Sequence, residues 1–312
     1  QRVVQQLIKK NIEVIATDII LEEESNNLSN RIKDSKLNSK ILHIEELDIS
    51  NKKNINHIIS QNNITHIISC GYQMSNMIDS DPIRGAEINI VGMTNLFDAA
   101  ANNKITRLIF PSSESIYGTS QKIYGDQAVK EDDYCGLQHQ SFTYAIMKLL
   151  NEFMAQKYVK NNNISIACTR PSVVFGYGRK RSSLMWAEDF ATLPALGKPV
   201  HLPFPGDNKD CWIYVEDCAE QMIQLSLKEQ LNYFVYNSGS ETVSGTELAK
   251  FVKEFIPDAQ ITFDNKGSYT PFIDIQDDSR IRKELAFEPK TLKEGIREHI
   301  NEARKTNNLP IL

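Results

Sequence analysis

Tyr144 and Lys148 stand four residues apart in the segment Tyr-Ala-Ile-Met-Lys, inside a stretch whose apolar spacing predicts a helix over 142–160. Side chains at this spacing share one face of a helix. A free phenol has a pKa of about 10 and is a weak base at neutral pH, but a neighbouring ammonium lowers that pKa. The pair therefore predicts a tyrosine that exchanges a proton with a substrate oxygen. The alternative is a solvated helix face, since a single pair at this spacing also arises by chance.

Two serines are candidates for holding that oxygen. Ser113 and Ser115 follow a predicted strand over 106–110 and precede the helix that carries Tyr144. Residues just beyond the carboxyl end of a parallel strand face the crevice where ligands bind. A hydroxyl group there can hydrogen-bond a substrate alcohol or carbonyl, and Ser113 is the first choice, with Ser115 second. The alternative is a serine-rich turn without a catalytic role.

The elements that must position these residues alternate between short apolar runs and amphipathic stretches, as in a parallel sheet covered by helices on both faces. The sequence predicts an α/β fold, with a doubly wound, parallel-sheet Rossmann domain over 1–170 and a smaller C-terminal α/β substrate lobe over 171–312. About 211–240 is expected to return to the Rossmann sheet. The predicted strands are 13–17, 40–44, 65–69, 106–110, 164–169, 211–215 and 234–237, and the predicted helices are 55–61, 81–102, 142–160, 184–196, 217–228, 245–255 (capped by Ser244 or Thr246) and 291–304.

The start of the chain departs from this plan. A doubly wound sheet normally begins with a strand and a glycine-rich turn that holds a pyrophosphate on a helix N-terminus. This chain opens on a helical pattern at Gln1, and no G-x-G-x-x-G segment occurs in it. We expect roughly a dozen preceding residues, one strand and a turn, to supply that part in the natural protein. The alternative is a truncated protein that binds its cofactor weakly or not at all.

Composition narrows the function classes. The 312 residues are 41% hydrophobic and carry a net charge of −5 without a basic stripe, which disfavours a nucleic-acid partner. No apolar run approaches the ~20 residues that cross a membrane, and the first residues do not resemble a signal peptide. The cysteines form no C-x-x-C pair, so we expect no metal site and no disulfide framework, but free thiols in a cytoplasmic protein. They are Cys70, Cys135, Cys168, Cys211 and Cys218.

Several segments resemble one family in the same chain order. The stretch 111–118 resembles S-S-x-x-V-Y-G, the stretch 169–176 resembles R-P-x-x-V-Y-G, and 236–239 resembles Y-N-x-G. The chain is thereby similar to the extended short-chain dehydrogenases/reductases, also called the NAD-dependent epimerase/dehydratase family. The resemblance implies NAD as cofactor, a small-molecule substrate, and a homodimer packed through 81–102 and 142–160. It also implies a catalytic set of Ser113, Tyr144, Lys148 and Asn89.

The resemblance implies a set of cofactor contacts as well. Asp18 ends the predicted second strand of the Rossmann domain, where a carboxylate accepts hydrogen bonds from both ribose hydroxyls and repels a 2′-phosphate. This favours NAD over NADP; the alternative is an Asp that caps a loop. The full set of cofactor contacts implied by the resemblance is Asp18, Asp48, Ile49, Cys70, Gly71, Tyr144, Lys148, Pro171 and Val173.

Two departures from the family's pattern bear on the substrate. Nucleotide-sugar members carry Asn where this chain has Val173, and Arg to hold a phosphate where this chain has Asp210. An acidic side chain in place of that Arg is unfavourable for a diphosphate ligand. Arg179 and Arg181, in a basic run near the start of the lobe, can bind a carboxylate or a phosphate instead. The alternative is a solvated basic loop.

Three functions stay open at this point. The leading one is an NAD-dependent oxidoreductase or epimerase that transfers hydride at a hydroxyl-bearing carbon of a sugar-like or hydroxy-acid substrate, with Tyr144 as general acid and base. The second is a nucleotide-sugar epimerase or dehydratase. The third is a non-catalytic Rossmann-like binding protein without a glycine loop. The sequence does not separate dehydrogenation, epimerisation and dehydration as the net reaction.

Overall fold

The computed structural model describes residues 1–19, 21–179, 182–265 and 272–312. They form an α/β structure that divides into two compact units. Unit 1 comprises Gln1–Ser112, Ile146–Thr169 and Ala219–Val235, and unit 2 comprises Ser113–Ala145, Arg170–Cys218 and Tyr236–Leu312. The segment 113–145, which the sequence assigns to the first domain, therefore belongs to unit 2.

The secondary structure of the described residues follows the expected alternation through the first half of the chain. The helices are α1 (Arg2–Lys9), α2 (Leu21–Asp34), α3 (Lys52–Asn62), α4 (Ser75–Ser80), α5 (Pro82–Ala86), α6 (Met93–Asn102), α7 (Thr143–Asn162), α8 (Trp186–Ala195), α9 (Val215–Leu227), α10 (Gly245–Phe255), α11 (Ser279–Leu285) and α12 (Leu292–Thr306). The strands are β1 (Val14–Asp18), β2 (Leu42–Glu46), β3 (His66–Ile68), β4 (Arg107–Pro111), β5 (Ile166–Pro171), β6 (Val173–Phe175), β7 (Val200–Leu202), β8 (Lys209–Tyr214), β9 (Val235–Ser238), β10 (Glu241–Ser244) and β11 (Ile261–Phe263).

Parallel pairing dominates the sheets to which the strands of unit 1 belong. Strands β1 and β2 pair in parallel, and a second sheet has the order β3-β4-β5-β9, with β3, β4 and β5 parallel. Within the described residues β1 and β3 are not hydrogen-bonded to each other. Buried Phe97, Phe110 and Cys168 belong to the core that joins this sheet to its helices.

Unit 2 contains strands that the sequence does not reveal. Strand β8 pairs with β6 in parallel and with β10 antiparallel, and β7 pairs with β11. The sequence predicts only β8 among these, because β6, β7 and β11 have three residues each. These short strands pack on an aromatic core. In this core the ring centroid of Trp212 lies 5.5 Å from that of Trp186 and 5.4 Å from that of Phe190.

Helix boundaries agree with the predicted caps, with one difference inside a helix. Ser244, rather than Thr246, caps α10 and forms a capping box with Glu247. The single helix expected over 81–102 is instead α5, a π-helical segment (Glu87–Gly92) and α6. A π-helical turn adds one residue to a turn of the helix. The spacing of apolar side chains in the sequence, read at 3.6 residues per turn, does not reveal that extra residue. The described helices include none of the length and apolarity that crossing a membrane requires.

Arg107 stabilises the end of α9 from inside unit 1. Its guanidinium is buried and donates to the carbonyls of Leu225 at 3.0 Å and Glu229 at 3.3 Å and to the Ser165 hydroxyl at 2.8 Å. A cation at this place satisfies carbonyls that the helix leaves without partners. We expect Arg107→Met to lower the free energy of unfolding by about 3 kcal/mol, measured by urea denaturation.

The matched control for that prediction is Arg297→Met, because Arg297 is exposed on α12. It should change the free energy of unfolding by less than about 0.5 kcal/mol. Equal effects of the two substitutions would contradict the role assigned to Arg107.

Candidate active site

Ser113 lies just past the carboxyl end of β4, at the start of a short 3₁₀ turn (Glu114–Tyr117). Its Oγ accepts hydrogen bonds from the Ser115 backbone N–H at 3.1 Å and from the Ser115 hydroxyl at 2.9 Å. Two donors thus occupy the lone pairs of this oxygen, which leaves the Ser113 proton to be donated elsewhere. Ser115 is buried and orients Ser113 through these contacts.

Tyr144 is the second residue of α7 and belongs to unit 2 together with Ser113. The two side chains are hydrogen-bonded to each other. Burial raises the pKa of Tyr144 to about 12, and the positive charge of Arg179 and the hydrogen bond with Ser113 limit that rise. The sequence predicts a pKa below the usual value through Lys148. In the structure burial outweighs the neighbouring charges, and the phenol keeps its proton at neutral pH.

Lys148 follows one turn later on α7, where the helix has passed into unit 1. Its side chain is only 3% exposed. Its Nζ donates to the Pro111 carbonyl at 2.7 Å and lies 3.5 Å from the centroid of the Tyr72 ring. Burial lowers the pKa of Lys148 to about 7, against the opposing influence of Cys70, Cys168 and Glu152. The amine therefore loses its proton far more readily than an exposed lysine does.

Asn89 is fully buried in the π-helical segment of unit 1. Its Oδ1 accepts from the Gln73 N–H at 2.8 Å, and its Nδ2 donates to the Gln73 carbonyl at 3.0 Å. The amide thus holds the loop that follows β3. The contacts described for Asn89 are positioning contacts, and its direct part in catalysis remains a prediction.

The residues expected to contact the cofactor differ in their exposure to solvent. Asp18 is exposed at the end of β1, and Cys70 and Gly71 are exposed after β3. The Asp48 carboxylate instead accepts from Ser50 N at 2.9 Å and pairs with Arg84. Partial burial acts to raise the pKa of the Asp48 carboxyl group. The hydrogen bonds from Arg84 and Ser50 outweigh it, so the pKa is lowered.

Two other residues predicted to contact the cofactor, Ile49 and Val173, have apolar side chains that pack against the protein. Ile49 packs where Gly92 leaves space, since a Cβ at Gly92 would lie 2.6 Å from Cγ1 of Ile49. Val173 is 2% exposed and belongs to the core of unit 2, so its side chain serves packing. Pro171 ends β5 and is half-buried.

The basic run near the start of the lobe is described only at Arg179. The Arg179 Nε donates to the Ser182 hydroxyl at 2.7 Å, and its Nη1 donates to the Val174 carbonyl. Burial lowers the pKa of Arg179, and nearby Tyr144 and Glu188 act in the opposite direction. Arg181 lies outside the described residues.

Sequence reasoning did not single out Glu114, which lies between the two serines. It is 3% exposed, and burial together with the charge of Asp210 raises its pKa well above the usual range. Asp210 on β8 is 2% exposed and accepts from Asn208 Nδ2 at 3.1 Å. An acidic residue directly after Ser113 is visible in the sequence, but its burial and its exposure to the charge of Asp210 come from the fold.

Comparison with known proteins decides the family. The model of the NAD dependent epimerase/dehydratase family matches residues 1–239, which is more than half of the chain. The chain belongs to that family. Membership confirms the resemblance drawn from the sequence and the family's cofactor, NAD. It also confirms that this is an enzyme family.

The individual relatives and solved structures that this chain resembles share little sequence identity with it. An uncharacterized protein of Methanocaldococcus jannaschii is 26% identical over 225 residues, 68% of this chain and 64% of that protein. Mitochondrial L-threonine 3-dehydrogenase of Bos taurus is 22% identical over 220 residues, 69% of this chain and 57% of that protein. The chain thus spans less than two thirds of the length of these relatives.

Among solved structures, UDP-glucose 4-epimerase of Thermotoga maritima, crystallised with UDP-glucose, aligns with a TM-score of 0.80 at 21% identity. The alignment covers 98% of this chain and 95% of that one. This likeness confirms the α/β fold class.

The residues present fit NAD at the carboxyl ends of the parallel strands of unit 1. Asp18 presents an exposed carboxylate there, as a ribose requires. A Cβ at exposed Gly71 would meet only Ile49 Cδ1, at 3.9 Å, so the backbone at this point is open to close approach by a ligand.

Proposed function

We propose that the protein catalyses NAD-linked oxidoreduction at a hydroxyl-bearing carbon of a small molecule, with Tyr144 exchanging the proton of the substrate oxygen. The observation that carries the proposal is the hydrogen bond between the Ser113 and Tyr144 side chains at the carboxyl end of β4. A phenol and a donor hydroxyl that meet at one point can both contact a single substrate oxygen.

Each residue has a separate task in this proposal. Ser113, whose oxygen already accepts two hydrogen bonds from Ser115, donates its proton toward the substrate oxygen and stabilises negative charge that develops there. Tyr144 receives the hydroxyl proton during oxidation and returns it during reduction. NAD, when bound, supplies the hydride acceptor. Lys148 remains a prediction as the residue that holds the ribose and favours the phenolate.

We assign NAD binding to Asp18, Cys70 and Gly71, and we further propose that a parallel strand lies between β1 and β3. The sheet order supports the strand, because β2-β1 and β3-β4-β5-β9 become one doubly wound sheet when it is added. The gene upstream of the Gln1 codon tests this. A strand and a glycine-rich turn encoded there would support the proposal, and a stop codon or a polar segment without strand character would contradict it.

The substrate class of the proposal excludes nucleotide sugars. Asp210, which is buried in unit 2, stands where the family's pattern has a phosphate-binding Arg, and an acidic side chain in that place is unfavourable for a diphosphate. The test is NADH formation from hydroxy acids, polyols and nucleotide sugars at equal concentration. Turnover of a hydroxy acid or polyol supports the proposal. Conversion of a nucleotide sugar without net NADH formation, detected by chromatography of the products, would favour an epimerase or dehydratase, and conversion of no compound would favour a binding protein.

We also propose a homodimer that packs through α5, the π-helical segment and α7. Large apolar side chains are exposed there: Ile83 is 76% exposed, Val91 50% and Phe153 58%. Ile146, Leu150 and Phe153 recur at helical spacing along one stripe of α7. A patch of this kind marks a protein interface.

Phe153→Glu is expected to convert this dimer to a monomer of 35.5 kDa, because the charge would be buried without a partner in the interface. Light scattering coupled to size exclusion measures the mass. Leu309→Glu is the matched control, since Leu309 is exposed in unit 2, and it should leave the dimer intact. A wild-type protein that already elutes as a monomer would refute the proposed interface.

A further inference from the structure

The loop that follows β3 brings an aromatic ring onto the amine of Lys148. The Lys148 Nζ lies over the face of the Tyr72 ring, 3.5 Å from its centroid. Lys148 is 3% exposed, and the hydrogen bond described for its Nζ goes to the neutral Pro111 carbonyl at 2.7 Å. An aromatic face attracts a cation within about 6 Å, and more strongly where water is excluded. Tyr72 therefore stabilises the charged form of a buried amine.

The Tyr72 ring is held in this position from two sides. Its hydroxyl oxygen accepts a hydrogen bond from Nδ2 of Asn151 at 3.1 Å, and its half-buried ring packs against the core of unit 1. Asn151 is fully buried on α7, three residues after Lys148, and it also donates to the Asn89 carbonyl at 2.8 Å. Asn89 in turn holds the backbone of Gln73, the next residue of the loop. The ring and the amine are thus anchored to the same helix, which sets the distance between them.

Other ionisable groups of unit 1 also act on the Lys148 amine. Burial opposes its charged form, whereas negative charge on Cys70, Cys168 or Glu152 favours that form. A thiol contributes only when it is ionised, but an aromatic ring attracts the cation without ionising. An ammonium that burial disfavours depends on each favourable contact that remains, so the ring matters most at neutral pH.

We propose that Tyr72 is a positioning residue for Lys148, and that the face of its ring stabilises the ammonium charge and holds the amine in place. The inference rests on the proposed function in one respect, because Lys148 is assigned there to the ribose and to the phenolate. An ammonium group favours a nearby phenolate, and a neutral amine does not supply that charge. Tyr72 would therefore set the fraction of Lys148 that can act on the phenol at neutral pH.

The test separates the charge distribution of the ring from its shape. Phenylalanine at position 72 keeps the ring and its face, whereas 3,4,5-trifluorophenylalanine keeps the shape but withdraws negative charge from that face. The carbon-13 chemical shift of Lys148 Cε reports its titration, and Lys148→Met assigns the resonance. Tyr72→Phe should leave the acid dissociation constant of the Lys148 ammonium within about threefold of the wild-type value. The trifluorinated ring should raise that constant about tenfold above its value in Tyr72→Phe.

The matched control position is Tyr158, which is also half-buried and packs against the same core. The trifluorinated residue at position 158 should leave the dissociation constant of Lys148 within twofold. An equal or lower constant for the trifluorinated ring than for Phe at position 72 would overturn the proposal. A tenfold increase already in Tyr72→Phe would also overturn it, because the hydroxyl group and not the ring face would then act on the amine.

This experiment and the test of the proposed function fail separately, because the titration does not depend on turnover. The expected titration in a protein that forms NADH from none of the compounds would uphold the role of Tyr72 and refute the oxidoreductase. NADH formation by a protein in which the trifluorinated ring leaves the dissociation constant unchanged would uphold the oxidoreductase and refute the role of Tyr72.

Where both proposals hold, the trifluorinated variant should form NADH at least twofold more slowly at pH 7 than Tyr72→Phe does, because less of the amine carries its charge. Equal rates would overturn the part of the proposal that gives Tyr72 a role in the reaction.

Discussion

Replacing Tyr144 by Phe should lower NADH formation at least about a thousandfold, within the range that general acid–base groups contribute. The substitution removes only the phenol oxygen, which is hydrogen-bonded to Ser113, and keeps the ring that packs at the start of α7. NAD affinity should stay within twofold, because the contacts proposed for the nucleotide lie at Asp18, Cys70 and Gly71. Initial rates at 340 nm and calorimetric titration with NAD measure the two quantities.

The control for that prediction is Tyr134→Phe. Tyr134 is 73% exposed and belongs to the same unit as Tyr144, so the loss of its hydroxyl group should leave the rate unchanged. An undiminished rate in Tyr144→Phe would refute proton exchange by this residue. A parallel loss of NAD affinity would show that the residue binds the cofactor instead.

The stability of the protein without NAD should rise with pH between 7 and 8.5 because of Lys148. Burial lowers the pKa of Lys148 to about 7 in the folded state from its usual 10.5. Between these values the unfolded chain binds more protons than the folded one, so the free energy of unfolding increases with pH, by up to about 1.4 kcal/mol per unit. Below the folded pKa both states are protonated, and this contribution no longer changes.

Urea denaturation across this range measures the slope. Tyr144 does not interfere, because its raised pKa affects stability only above its usual pKa of 10.0. Lys148→Met should abolish the slope that Lys148 contributes, while Lys157→Met, at an exposed position on the same helix, should retain it. Equal slopes in the wild type and in Lys148→Met would show that burial does not lower the pKa of this amine.

Much of unit 1 could be predicted from the sequence, because the signals for its elements are local. Apolar runs of five or six residues mark β1, β2, β4 and β5, and the apolar spacing of α7 predicts its position within two residues at either end. The short strands of unit 2 could not be predicted, because three residues of β structure acquire their stability only from the partners that the fold brings to them.

For the candidate site, the sequence by itself determined the residue types and their order: a hydroxyl after β4, then a phenol and an amine one turn apart on one helix. Only the tertiary structure decided how these groups are charged. The pKa of Tyr144 lies above its usual value and that of Lys148 below, because burial in each case opposes the charged form. The electrostatic effect of Asp210 on Glu114 likewise depends on the fold, since 3₁₀-turn and strand residues so far apart in the chain share no local signal.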